Sequence, residues 1–363
     1  MNGAAGPQVA PAVGVRQAVG AFITVEGGRA GRSLYCASRA NGPVAQSPDA
    51  VSMSQECPPS LDPIAAGRWA RRAPLTDAHG HPRSPWLHEE VARRMAERLP
   101  WIRHQPTRWV HWGPLSGGLQ THAQVARLYP QAPCDLVEDT PARAALALRA
   151  LQPPAPPWWR LARPATPPLA AGEPPPGTAG LVWANMQLHS SPAPQTLLRR
   201  WQQALAPDGF LMMSCLGPDT LRGLRRLYAR LGWPEPAHAF TDMHDWGDML
   251  VKAGFAEPVM DMEHLELRFE TPQRLLQELR ELGRNLHVAR FPALRGRGWQ
   301  QALLDALEAG RRPDGGGLVL GFEIVYGHAF KAPPRLAVQA ETQVSLDQMR
   351  QTLLQRKKNL PPV

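Results

Sequence analysis

Residues 109–118 read WVHWGPLSGG: a short apolar strand, a turn holding Gly113, Gly117 and Gly118, and the start of the helix-forming stretch GLQTHAQVARLYP. A strand feeding a glycine-bearing turn and then a helix is where an α/β domain places a phosphate or ribose loop. Outward from that point the rhythm continues. CDLVED (134–139) reads as a second strand and TPARAALALRAL (140–151) as a helix opened by Thr-Pro. Upstream, SPWLHEEVARRMAERLPWI (84–102) offers Ser84 as N-cap, and Leu87, Val91, Met95 and Leu99 recur every four residues as one apolar stripe. Helix, strand, helix, strand, helix is the order of a parallel sheet with crossover helices.

Ten prolines fall in 153–176, so the segment 153–177 reads as a loop in place of a crossover helix. Regular structure resumes with a strand, GLVWANM (180–186), a helix, APQTLLRRWQQAL (193–205), and the strand of PDGFLMMSCLG (207–217). Three helices carry their own punctuation: one from Asp219/Thr220 to Gly232, one capped by Asp242 and ended by Gly254, one from Thr271-Pro272 to Gly283. Strands at 258–270 and 315–330 complete the domain, placed at 84–330, with 331–363 as a C-terminal tail.

The chain has 363 residues, 43% hydrophobic, and a net charge of +9, mostly from arginine. That composition supports a packed core and excludes global disorder. The charge suits an acidic partner, although high-GC codon usage accounts for it equally. It is scattered, and no aromatic-basic platform points to nucleic acid. Four cysteines without a C-x-x-C pair indicate neither a disulfide framework nor a zinc cluster. No apolar run approaches the ~20 residues of a membrane span, so a cytoplasmic, soluble protein is expected. Residues 1–60 lack sustained periodicity and a signal-peptide core; a disordered tail, a targeting segment and a true start at Met53 all stay open.

Ligands of open α/β sheets bind at the carboxyl ends of strands. The candidates are therefore Gly113–Gly118, Glu138 and Asp139, Asn185–His189, and Cys215–Asp219. An acid ending the second strand can accept from both hydroxyls of a ribose, or can simply stabilise the next helix N-terminus. Trp183 and Asn185 are pocket candidates at the fourth strand. Arg222, Arg226 and Arg230 form a stripe at i, i+4, i+8 that meets either an acidic partner or solvent. His238, His244 and Asp245 lie around a helix start, where capping is expected; the histidines at 79–81 lack metal spacing, and no metal is expected. Tyr326 and His328, on the closing strand, read as core.

From about 84 to 330 the chain resembles the class I S-adenosylmethionine-dependent methyltransferases, and among them the malonyl-acyl-carrier-protein O-methyltransferases of biotin synthesis. The resemblance is carried by GPDTLRGLR (217–225), HAFTDMHDWGDMLVKAGFAEPVMDME (238–263), LLQELRELGRNL (275–286), FEIVYGHAF (322–330) and LVWANMQLH (181–189). It implies a Rossmann-like α/β fold with a seven-stranded sheet, mostly parallel with an antiparallel last strand, and helices on both faces. It also implies transfer of a methyl group from S-adenosylmethionine to the free carboxylate of a malonyl thioester on an acidic acyl carrier protein. His111, Gly113, Gly117, Glu138 and Asn185 would then hold the cofactor.

The cofactor half departs from the family's strand–acid–x–Gly–x–Gly–x–Gly pattern. His111 stands in the acid's place and Leu115 in that of the second glycine, while Gly113 and Gly117 keep the first and third. The acid that follows the family's third strand is replaced by LARPATPPLA, and the N-terminal aromatic motif has no counterpart in SPWLHEEVARRM. Two lost charge-assisted contacts correspond to cofactor binding weaker by roughly 10²–10⁴-fold. The alternative is a catalytically degenerate methyltransferase fold acting as a binding or regulatory protein. A third possibility is an enzyme using another small molecule, as in the related arginine hydroxylase branch.

Overall fold

The computed structural model describes the backbone of residues 21–24, and residues 58, 60–152, 167–312 and 317–333 in full. Met53, the proline-rich 153–166 and the tail beyond 333 lie outside the described residues.

In chain order the elements are β1 (Ala21–Thr24), α1 (Pro63–Ala70), β2 (Leu75–Thr76), β3 (Pro82–Arg83), α2 (Trp86–Ala96), β4 (Trp109–Trp112), α3 (Pro114–Gly117), α4 (Leu119–Leu128), β5 (Cys134–Val137), α5 (Pro141–Leu151), β6 (Leu169–Ala171), β7 (Ala179–Asn185), α6 (Pro194–Ala204), β8 (Leu205–Leu216), α7 (Arg222–Arg230), α8 (Met243–Lys252), β9 (Phe255–Phe269), α9 (Pro272–Leu282), α10 (Arg297–Glu308) and β10 (Leu318–Lys331). The main sheet has the order β1-β9-β10-β8-β7-β4-β5-β6. Strands β6, β5, β4, β7 and β8 are mutually parallel, and β10 runs antiparallel between β8 and β9. Without the edge strand β1, that is the seven-stranded arrangement expected, with the last strand reversed.

The central strands are apolar throughout because both faces are covered. Alternation sorts them. Trp109, Leu181, Trp183, Phe210 and Met212 pack with α2, α4 and α5 on one face. Val110, Trp112, Val182, Leu211 and Met213 pack with Leu198 and Trp201 of α6 and Trp246 and Leu250 of α8 on the other.

Three differences from expectation bear on function. The fold begins before Ser84: α1, capped by Asp62, is tied in by a bridge from Leu61 to His287 and by an Arg290–Asp62 pair at 2.8 Å. Within the proline-rich segment, Leu169–Ala171 forms β6 beside β5, since an edge strand needs hydrogen bonds on one side only. Ser84 does not cap α2. Its hydroxyl lies 3.2 Å from the carbonyl of Leu115 and accepts from the Leu119 amide at 3.0 Å, pinning the glycine turn.

Candidate active site

The glycine turn folds as one tight helical turn, α3. Gly113 has φ +65°, a left-handed conformation that favours glycine, and its amide donates to Val137 O at 2.7 Å. A Cβ there would meet the Gln187 side chain at 2.4 Å, and a Cβ on Gly117 would meet Asn185 O at 2.8 Å. Backbone packing thus requires glycine at 117, and the left-handed conformation favours it at 113. Gln187 lies over the turn, donating to Asn185 O at 2.9 Å and Ser116 Oγ at 3.2 Å.

Other polar groups at the strand ends are likewise engaged internally. Asn185 is fully buried; its amide donates to His88 O at 2.8 Å and to Gly117 O, and its carbonyl accepts from Ser214 at 2.6 Å. Glu138 has a side chain only 1% exposed and accepts from the Leu115 amide and from Arg143 Nε, each at 2.8 Å. Burial raises its pKa, opposed by Arg143. His111 is fully buried, its Nδ1 3.1 Å from His122 Nδ1 and the two rings stacked. Burial, and then His122, hold it well below the ordinary histidine range.

Above these groups, at the carboxyl ends of β4, β5 and β7, lies a cavity of about 390 Å³. Its walls include Trp112, Leu115, Ser116, Asp139, Gln187 and His189, and Trp69 at the end of α1 with Arg71 and Arg72 just after it line it as well. Beside it is a second cavity of about 440 Å³, walled by Leu224, Tyr228, Phe240, Leu279, Trp299 and Leu303, with Arg280 and Arg284 among its lining residues. Trp69, His189, Ser190 and Leu282 line both. His189 Nδ1 is buried without a partner, and burial followed by the neighbouring His88 and His238 keeps the ring neutral near pH 7.

Several expected site residues are thus placed elsewhere. Trp183 is fully buried in the core, because alternation along β7 turns it toward the α2 layer; it is not among the lining residues of these two cavities. His111 faces the same layer and reaches His122 instead of the cavity. Asn185 and Glu138 lie beneath the cavity as supports, and Asp139, one residue on, faces it. Arg222 and Arg226 are exposed on α7, outside both larger cavities, with Arg222 paired to Asp219. His238 is buried, its Nε2 donating to His189 O at 2.8 Å. Asp242 caps α8 by accepting from the His244 amide at 2.7 Å, as its position implies. Tyr326 is buried among core residues.

Sequence reasoning missed Trp69, Arg72, Arg280 and Arg284. The Asp62-Pro63 start signal could have found the first of these; nothing in the local pattern marks the others. One group of possible metal ligands, Asp219, His264 and Glu323, comes together within 4.8 Å. Arg222 and the backbone already engage those carboxylates: Glu323 accepts from the Asp219 amide at 2.6 Å.

A sheet in this order, with one reversed strand and a cavity at the carboxyl ends of the parallel ones, defines a class I methyltransferase fold. No family model matches the chain. It is 36% identical over 279 residues to the malonyl-acyl-carrier-protein O-methyltransferase of Gallionella capsiferriformans, covering 73% of this chain and 91% of that one. The enzyme of the same name from Laribacter hongkongensis is 35% identical over 267 residues, covering 70% and 85%. The chain belongs to the malonyl-acyl-carrier-protein O-methyltransferase family. Among solved structures, a phosphoethanolamine N-methyltransferase of Haemonchus contortus, in complex with S-adenosylhomocysteine, aligns at a TM-score of 0.37 and 14% identity, covering 69% of this chain and 54% of that one. The strand order, not that likeness, establishes the fold.

Proposed function

We propose that this protein transfers a methyl group from S-adenosylmethionine to the free carboxylate of a malonyl thioester carried by an acyl carrier protein. The observation that carries this reading, beside the family, is two ligand-sized cavities sharing one wall. Cavities of this size suit small molecules, and methyl transfer needs two ligands end to end.

S-adenosylmethionine supplies an electrophilic methyl group on sulfur. The donor set of the first cavity fits it: Asp139 offers a carboxylate to a ribose, with Trp112 and Leu115 as apolar walls. Gln187 must leave Gly113 for a ligand to approach the turn as closely as the family's glycines allow. A malonyl carboxylate is already ionised near pH 7, so no general base is required. One carboxylate oxygen forms a bond to the methyl carbon as the carbon–sulfur bond breaks, and the electron pair stays on sulfur. What the protein contributes is alignment and exclusion of water, worth several kcal/mol. Neutral His189, on the wall common to both cavities, adds no competing charge.

The test is to incubate the full chain with S-adenosylmethionine and malonyl-carrier protein and weigh the acyl carrier by mass spectrometry. A methyl ester is expected. The Gln187 and Glu138–Arg143 contacts favour a second reading, a binding protein on a methyltransferase fold. That reading gains if no ester forms and calorimetry detects no S-adenosylhomocysteine binding at millimolar concentration.

A further inference from the structure

Around the two cavities some charges are paired. Arg143 holds Glu138, Arg83 holds Glu281 at 2.7 Å, and Arg225 faces Glu235 at 3.6 Å. Arg72, Arg280 and Arg284, like Arg71, are not paired with a carboxylate among the described residues. They nevertheless converge. The guanidinium of Arg72 lies 4.9 Å from the centre of the Trp69 ring and that of Arg284 lies 5.7 Å from the same ring. Arg72 lines the first cavity and Arg280 and Arg284 the second, with Trp69 lining both. Arg284 Nη1 also donates to Arg280 O at 2.7 Å and Gly283 O at 3.0 Å, which fixes its head at the end of α9.

Three neighbouring cations, two of them against one ring, repel each other, and burial adds to the cost. Burial first, then Arg72 and Arg280, push the Arg284 pKa down. Glu281, adjacent in sequence to Arg280, could have neutralised the group but is held by Arg83. An anion arriving at the wall would relieve this. The acyl substrate carries its charge at the end that must reach the first cavity, while its thioester arm can lie along the apolar walls of the second.

We infer that Arg72 and Arg284, which lie over Trp69, form with the neighbouring Arg280 the site that binds the substrate's carboxylate. The inference rests on the proposed methyl transfer and adds the residues that select a malonyl over an uncharged acyl group. The common chemistry is a carboxylate or a phosphate, since guanidinium groups accept either; the structure assigns the carboxylate because the three surround the wall between the cavities.

The test uses the full chain and phosphate-free acceptors. Binding of malonyl-pantetheine and acetyl-pantetheine is measured by calorimetry for the wild type, Arg280→Gln, Arg284→Lys and the double variant Arg280→Gln/Arg284→Ala, with circular dichroism confirming that each is folded. The wild type is expected to prefer the malonyl compound by roughly 10- to 100-fold, the magnitude of a charge-assisted contact. The double variant is expected to lose that preference, Arg284→Lys to keep part of it, and S-adenosylhomocysteine affinity to stay unchanged. Where ester formation is measurable, the KM for malonyl-pantetheine rises by the same factor. Equal preference in wild type and double variant overturns the inference, as does, in a second arm with the phosphopantetheine counterparts, an effect seen only with those phosphate-bearing acceptors. Because binding is read without turnover, a wild type that discriminates but forms no ester would defeat the methyl-transfer reading and leave the carboxylate site standing.

Discussion

The floor of the first cavity and the rim of the second treat charge in opposite ways. Beneath the first, Glu138, Asn185 and Gln187 are each closed on a neighbour within the protein. At the rim of the second, Arg280 and Arg284 stand without carboxylates among the described residues. Polar groups buried beneath a cavity must find partners inside, because an unsatisfied buried polar group costs about 1–3 kcal/mol. The contrast sets a first cavity floored by internal contacts against a second with unpaired arginines at its rim.

The strongest way to break that contrast is to remove Glu138. Glu138→Ala leaves the nearly buried Arg143 without its counter-ion and the Leu115 amide without an acceptor. A loss of about 3–5 kcal/mol in folding stability is expected, read from urea denaturation. A loss below 1 kcal/mol would mean that the contact is incidental and the floor is not a structural network.

A second test uses pH. Burial holds His88 and His122 at about 4, against an ordinary value of 6.5. Their folded pKa is depressed, so the unfolded chain binds more protons between pH 6.5 and 4, and stability falls as pH drops through that window. Each should remove roughly 2 kcal/mol by pH 5. Denaturation midpoints that do not move between pH 7 and 5 would show that these rings are hydrated and that the floor is open.

Gln187→Ala sharpens the comparison at the turn itself. Freeing the Gly113 cradle removes two hydrogen bonds that a ligand would have to displace. S-adenosylhomocysteine should bind roughly 3- to 10-fold more tightly in calorimetry; weaker binding would instead make Gln187 a ligand contact. The smallest effect is expected on α7. Arg226 is exposed, and Arg226→Ala should change stability by less than about 0.5 kcal/mol. A several-fold rise in the KM for carrier-bound substrate, without one for malonyl-pantetheine, would assign that face to the carrier.

Much of this architecture was legible before the structure. Thr271-Pro272 and Asp242 are strong start signals, and both cap helices with the side-chain bonds expected. Helix α10 escaped notice because Gly296 caps it without a side-chain bond. Strand β6 was hidden by prolines that an edge strand accommodates. The site was less legible for a different reason. Alternation places Trp183 and His111 on one face of the sheet, but only the packed helices decide which face is closed. Glu138 and Asp139 are equivalent in sequence; Arg143, brought round by α5, draws the first inward and leaves the second to the cavity.

Trp69 stands in the walls of both cavities. A ligand that orders this indole from one side changes the surface met by a ligand on the other. Thermodynamic linkage then fixes a symmetry: whatever factor the cofactor imposes on acyl affinity, the acyl group must impose on cofactor affinity. Where that factor is favourable, the affinity measured for the cofactor alone understates what the protein achieves with both ligands in place.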